Sequence, residues 1–251
     1  MPGTPTAPAD AGAPTHWERV AQETSWGRYI SAVERRTILR GSEAATGPRS
    51  ALEVGCDGGR WSALLADAGW SMTCTDIDVD ALDACGRRVP SAERVLVTPD
   101  CTVLPAESNS LGLLLCFEVF WVVHERWFLE EVARVLAPGG VCVAVVSNRA
   151  SHRRFLWQVA NRPRSNVDTA NPPMYSRSYR SWRHQLREHG FVPISEEGLC
   201  WMPFSRQSNA RLVTPLNELE RVLGLRRVPM LSPWICSVMQ REPTLVPSAA
   251  D

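Results

Sequence analysis

Residues 51–59, reading ALEVGCDGG, set an apolar run that ends in an acid directly before a glycine-rich turn. Glycine bends through backbone angles that side chains resist and lets the main chain approach a bound nucleotide closely. A second predicted strand, 71–75, reading SMTCT, ends at Asp76, 21 residues after Gly55. That separation is close to the one at which a strand-end carboxylate accepts hydrogen bonds from ribose hydroxyls. A dinucleotide fingerprint needs glycine at three positions where this chain has Gly55, Asp57 and Arg60, and a carboxylate at Asp57 would oppose a pyrophosphate. The spacing therefore argues against a dinucleotide. A tight strand-to-helix turn with no ligand is the bland alternative.

Two histidines stand where proton transfer could occur. His124 follows the predicted fourth strand and its exit, within 113–119, by a few residues, and His152 follows the predicted fifth strand, which ends near 145, so both are candidate bases on the substrate side. Each is otherwise a surface or capping histidine. His16 lies in or beside an N-terminal tail, and His184 and His189 fall on a late helix, so these three are set aside. Tyr175 and Tyr179 are weaker candidates.

The elements that must hold these residues alternate. Residues 60–68 have helical spacing, with Leu64, Leu65 and Ala68 able to face a sheet while Arg60 and Asp67 face water. Strand and helix patterns continue to residue 148 without a boundary. A chain of 251 residues with 44% hydrophobic content can bury a full α/β core.

Several segments beyond the turn carry a resemblance to a known family. Glu53 to Arg60 reads E-V-G-C-D-G-G-R, Thr75-Asp76-Ile77 ends the second strand, and Pro99-Asp100-Cys101 precedes Leu104-Pro105. Residues 113–119, LLLCFEV, form a fourth strand and its exit, and residues 131–145, EVARVLAPGGVCVAV, a helix, proline-glycine-glycine turn and fifth strand. Together these resemble the class I S-adenosylmethionine-dependent methyltransferases, particularly the small-molecule and quinone-biosynthesis type, over about residues 50–148. Departures are Asp57 in the first motif, Gly112 where an aspartate is frequent, and Val122 where a histidine is frequent.

The resemblance implies an α/β, Rossmann-like fold: a seven-stranded, mostly parallel sheet with an antiparallel last strand, helices on both faces and an N-terminal helical lid. It implies S-adenosyl-L-methionine as cofactor and S-adenosyl-L-homocysteine as product. Glu53 would steady the methionine end through the turn, with Cys56 and Asp57 in it, while Gly55 and Gly58 let the backbone approach. Asp76 would take the ribose hydroxyls, Ile77 would pack on adenine, and Asp100 would accept from the adenine amino group. The backbone at Cys101 and Cys116 would complete the pocket. Trp26 and Tyr29, on the predicted lid, would cover the ligand or simply pack.

The predicted organisation is a disordered tail over 1–14, a lid over 15–45 that is helical after Trp26, and a domain over 46–251. Within that domain, residues about 149–177 would form a substrate lid and about 203–230 a helical insert, with a helix at 217–225 and a substrate-side loop at 203–211. Later elements would be a helix at 178–189, a strand at 191–195 and the antiparallel strand at 234–240.

Composition narrows the partners. The net charge is zero, yet residues 149–190 hold nine arginines against Asp168 and Glu188, a local charge of +7. Solvated helix faces, an acidic or phosphorylated small substrate, and nucleic acid all fit such a segment, nucleic acid least because no recognisable binding module is present. Asn171-Pro172-Pro173-Met174 follows the fifth strand rather than the fourth, so it reads as a rigid turn and not as an amino-group methylation motif. The eight cysteines form no C-x-x-C pair, which points to small buried residues in a reducing cytoplasm and to no metal. No apolar run is long enough to cross a bilayer. The expected activity is methyl transfer to a small-molecule acceptor, at oxygen, in bacterial secondary metabolism. Alternatives are an RNA or protein methyltransferase, or a non-catalytic S-adenosylmethionine-binding protein of the same fold. Oligomeric state is not legible.

Overall fold

A computed structural model describes residues 14–160 and 177–242. Nearly all of the predicted tail and residues 161–176, with Asp168, Tyr175 and the Asn171-Pro172-Pro173-Met174 turn, lie outside them. The chain opens with α1 (His16–Glu23) and α2 (Ser25–Ala44). The core follows as β1 (Ser50–Val54), α3 (Arg60–Asp67), β2 (Ser71–Asp76), α4 (Val79–Arg88), β3 (Glu93–Leu96) and β4 (Leu111–Cys116). Next come α5 (Phe120–Val123), α6 (Arg126–Val135), β5 (Leu136–Ser147) and α7 (His152–Ala160). After the gap lie α8 (Tyr179–Glu188), β6 (Phe191–Leu199), α9 (Val213–Val222) and β7 (Trp234–Arg241).

One seven-stranded sheet runs β3-β2-β1-β4-β5-β7-β6. All neighbours are parallel except β7, which is antiparallel to both β5 and β6. The expected fold class is therefore the observed one. β4, LGLLLC, is buried at every position because helices cover both faces. Its alternate residues feed two cores: Leu113 and Leu115 pack with α2 and α3, and Leu114 and Cys116 pack with α6 and α8. Gly112 has a steric reason, since a Cβ there would lie 2.0 Å from the Pro48 carbonyl oxygen. Strand order reverses between β1 and β4, which makes a crevice at their carboxyl ends.

Some boundaries differ from the sequence expectation. The N-terminal helix begins at His16, not after Trp26, because Thr15 and Glu18 form a reciprocal capping box. Thr24 then caps α2, its hydroxyl accepting from the Gly27 amide. β6 extends to Leu199, and the inserted helix occupies Val213–Val222 rather than 217–225. Among the described residues no helix is long and apolar enough to cross a membrane.

Candidate active site

A cavity of about 580 Å³ opens at the carboxyl ends of β1, β2 and β4, under α1 and α2. That volume lies in the range of small-molecule sites. Its β-strand wall holds Glu53, Gly55, Cys56, Asp57, Asp76 and Ile77 from the predicted set. Gly55 has φ +71, and a Cβ there would meet Val119 Cγ2 at 2.6 Å, so this close turn requires glycine.

Asp76 organises the turn. Its Oδ2 accepts from the Asp57 amide at 2.9 Å, and its Oδ1 from the Ile77 and Asp78 amides at 2.8 and 3.1 Å. A carboxylate offers about four lone-pair sites, so three amides leave room for one further donor. Ile77 is 54% exposed on the same wall, a flat apolar surface for a ring. Thr98, Pro99 and Cys101 continue that wall. Glu53 accepts from the Ser62 hydroxyl beneath the turn, and burial pushes its carboxyl up to about 8, so it is mainly neutral at pH 7.

Four other predicted residues stand elsewhere. Asp100 is exposed and does not line the cavity, though its neighbours do. Gly58 faces α1, where a Cβ would meet Glu18 Oε1 at 2.8 Å. Cys116 is buried in the core below the cavity floor formed by Phe117 and Glu118. Tyr29 turns away from the cavity and donates its hydroxyl to Glu220 at 2.8 Å, while Trp26 does line it and stands edge-on to Trp234.

Neither candidate base reaches the cavity. His124 is 5% exposed with Nε2 2.8 Å from Ser147 Oγ, and burial, then Arg177, pushes its pKa down to about 4. His152 stacks on Trp201 with both ring nitrogens 3.1 Å from carbonyl oxygens of Leu231 and Trp201. A position after a strand does not fix which way a ring points. Both histidines tie loops together.

Two further carboxyls line the cavity, one from α2 and one from the exit of β4. Glu34 on α2 pairs with Arg60 at 3.2 Å, and Glu118 pairs with Arg206 at 3.1 Å. Burial raises the proton affinity of both carboxyls, and the Glu118 charge raises that of Glu34 further. Glu118 sits at φ +57, an uncommon conformation for a non-glycine residue that aims its carboxyl off the strand end. Arg206 Nη2 is buried without a partner among the described residues. Trp17, Trp26, Trp61, Trp121 and Trp127 supply the apolar walls. Glu118 was visible in the strand-four exit, whereas no sequence signal marked Glu34 or Arg206.

A parallel sheet with a carboxylate ending β2, a glycine turn after β1 and a cavity at the strands' carboxyl ends is the arrangement in which such sheets hold nucleotide-type ligands. Residues 52–144 match the family model described as a methyltransferase domain. That stretch, about 37% of the chain, is similar to methyltransferase domains. The ubiquinone biosynthesis O-methyltransferase of Psychrobacter arcticus is 26% identical over 127 residues, which cover 48% of this chain and 48% of that protein. The matched stretch thus spans about half the length of this curated relative. Geranyl diphosphate C-methyltransferase from Streptomyces coelicolor, solved with a magnesium ion, geranyl diphosphate and S-adenosyl-L-homocysteine, superposes with TM-score 0.57 at 13% identity, covering 92% of this chain and 86% of that one. A geranyl diphosphate methyltransferase in complex with its substrate and sinefungin gives 0.58 at 15% identity, with 94% and 85% covered. These likenesses show the shared fold.

The residues present fit S-adenosylmethionine. The open lone pair of Asp76 suits a ribose hydroxyl, Ile77 and the 98–101 wall suit adenine, and the 53–57 turn with Arg60 suits the methionine end.

Proposed function

We propose that the chain methylates a hydroxyl oxygen of a small, uncharged, largely apolar acceptor. The Glu34–Glu118 carboxyl pair inside a tryptophan-walled cavity carries this reading. A carboxyl whose proton affinity is raised toward neutrality is a better base for a hydroxyl than an ordinary carboxylate. Both cavity arginines are already paired with these carboxyls, so an acidic or phosphorylated acceptor would have to displace one of them.

Bound S-adenosylmethionine would supply an electrophilic sulfonium methyl. The tryptophan walls hold the acceptor and exclude water, which favours one orientation. Glu118, with Glu34 as its partner, takes the proton from the acceptor hydroxyl. Arg206 Nη2 donates to the oxygen as negative charge develops on it.

The name of the half-length curated relative supports oxygen as acceptor atom, and the structural neighbours' titles support a small molecule. In the same proposal residues 15–45 close the cofactor side, the segment about 203–230 borders the acceptor, and the protein acts on a metabolite in the cytoplasm. The test is formation of S-adenosylhomocysteine from S-adenosylmethionine with a panel of neutral phenols and alcohols, and with matched carboxylates, phosphates and amines. Turnover confined to neutral hydroxyl compounds supports the proposal. Turnover only with charged or amine acceptors, or none at all, counts against it.

A further inference from the structure

Cys56 in the first turn, Cys74 on β2 and Cys85 on α4 bring three sulfurs together. Their Sγ atoms all lie within 4.8 Å of one another, the residues are buried, and none is in a disulfide. The spacing in sequence, 18 and then 11 residues, matches no familiar metal motif, because three separate elements supply the ligands. Methyl transfer uses none of these thiols.

Three sulfurs at about 2.3 Å from a central ion stand about 4 Å apart in a trigonal plane, so a side-chain adjustment of under about 1 Å closes the difference. An oxygen is also present, since Ser62 Oγ lies 3.0 Å from Cys74 Sγ and is held by Glu53. The Arg94 guanidinium lies against Gly86 on α4, where a Cβ would meet its Nη1 at 2.1 Å.

We propose that Cys56, Cys74 and Cys85 form a binding site for a thiophilic divalent cation of the zinc class, with Ser62 Oγ at the fourth position. The ion would displace the three thiol protons to solvent, giving three thiolates on one dication. It would pin the glycine turn to β2 and α4, the three elements that shape the nucleotide side of the cavity. Its test is read without turnover.

The full chain, reduced with a phosphine and stripped of metal, is titrated with Zn²⁺ and with Cd²⁺. The expected result is uptake of one ion per chain, a sulfur-to-cadmium charge-transfer band and a higher Tm. Cys74→Ser and Cys85→Ser should lose the band and bind more than about a hundredfold more weakly, while Cys101→Ser keeps both. Uptake of no ion by the wild type, or uptake that survives both substitutions, overturns the proposal. Should a variant fail to fold, wild-type alkylation followed by mass spectrometry decides instead. Zinc must slow labelling of Cys56, Cys74 and Cys85 selectively, and equal labelling of these three with and without zinc overturns the site.

Discussion

Thr15 donates a 2.6 Å hydrogen bond to the Asp57 carboxylate across 42 residues of chain. Arg88 reinforces this clamp by pairing with Glu18 on α1 and donating to the Gly58 carbonyl at 2.7 Å. The aspartate that breaks the family's glycine pattern thus fastens the N-terminal helix to the nucleotide turn.

Thr15→Val removes that hydrogen bond together with the side-chain N-cap of α1 and should cost about 1 to 3 kcal/mol. Asp57→Gly removes it too but relieves a φ of +47, which offsets about 1 kcal/mol or more, so its net cost should be smaller. We predict roughly tenfold faster amide exchange across His16–Glu23 in Thr15→Val. Unchanged exchange would show that the clamp does not hold in solution.

Asp76→Ala should abolish cofactor binding and loosen the turn. S-adenosylhomocysteine at about a hundred times its dissociation constant should stabilise the wild type by about 2.7 kcal/mol. Thermal scans should show a ligand-dependent rise in Tm that disappears in the variant. A rise of equal size in both would remove Asp76 from the site.

Glu118→Gln should lower turnover about a hundredfold or more, with cofactor affinity changed less than about threefold. The proton affinity of the Glu34–Glu118 pair is raised, and the base must be ionised to work. Wild-type turnover should therefore fall as pH drops, beginning above the ordinary carboxylate range, and the variant's profile should be flat there. His124→Ala and His152→Ala should keep a base-dependent profile. A hundredfold loss in either with an unperturbed fold would restore that histidine to the mechanism.

Glu53 links stability to pH. Its folded pKa, about 8, lies above its unfolded value, so its contribution is complete below about pH 4.5 and is lost as pH rises through 8. Full ionisation corresponds to on the order of 5 kcal/mol. Denaturant unfolding from pH 5 to 9 should show a decline that Glu53→Gln largely removes. Parallel declines in the two proteins would place the linkage elsewhere.

Gly112→Asp restores the residue frequent in the family and should fail here. Its Cβ would meet the Pro48 carbonyl oxygen in a central strand, a clash that no rotamer relieves. Loss of soluble folded protein is expected, and a variant with wild-type Tm would contradict the packing described.

The sheet was legible because each strand announces itself locally. The run into Gly55, the acid at the end of β2 and the proline-glycine-glycine turn before the β5 core all depend on near neighbours in sequence. Asp76 and Ile77 followed from that register. Glu34, Arg206 and the three clustered thiols did not, since each reaches its partners only through tertiary folding. Tyr29 and Trp26 lie three residues apart on one helix, yet one meets Glu220 and the other the cavity, because α9 claims the first. The histidines failed for a similar reason: chain position located them near the correct sheet edge, while packing turned their rings elsewhere.

Five of the chain's ten tryptophans border one cavity, with Arg60 lying 4.0 Å over the Trp61 ring. Indole emission responds to the polarity and the charges around the ring. Occupancy of the cavity is thus written into the protein's own fluorescence, so ligands can be ranked by colour and intensity alone, before any acceptor is known and without a dye or label.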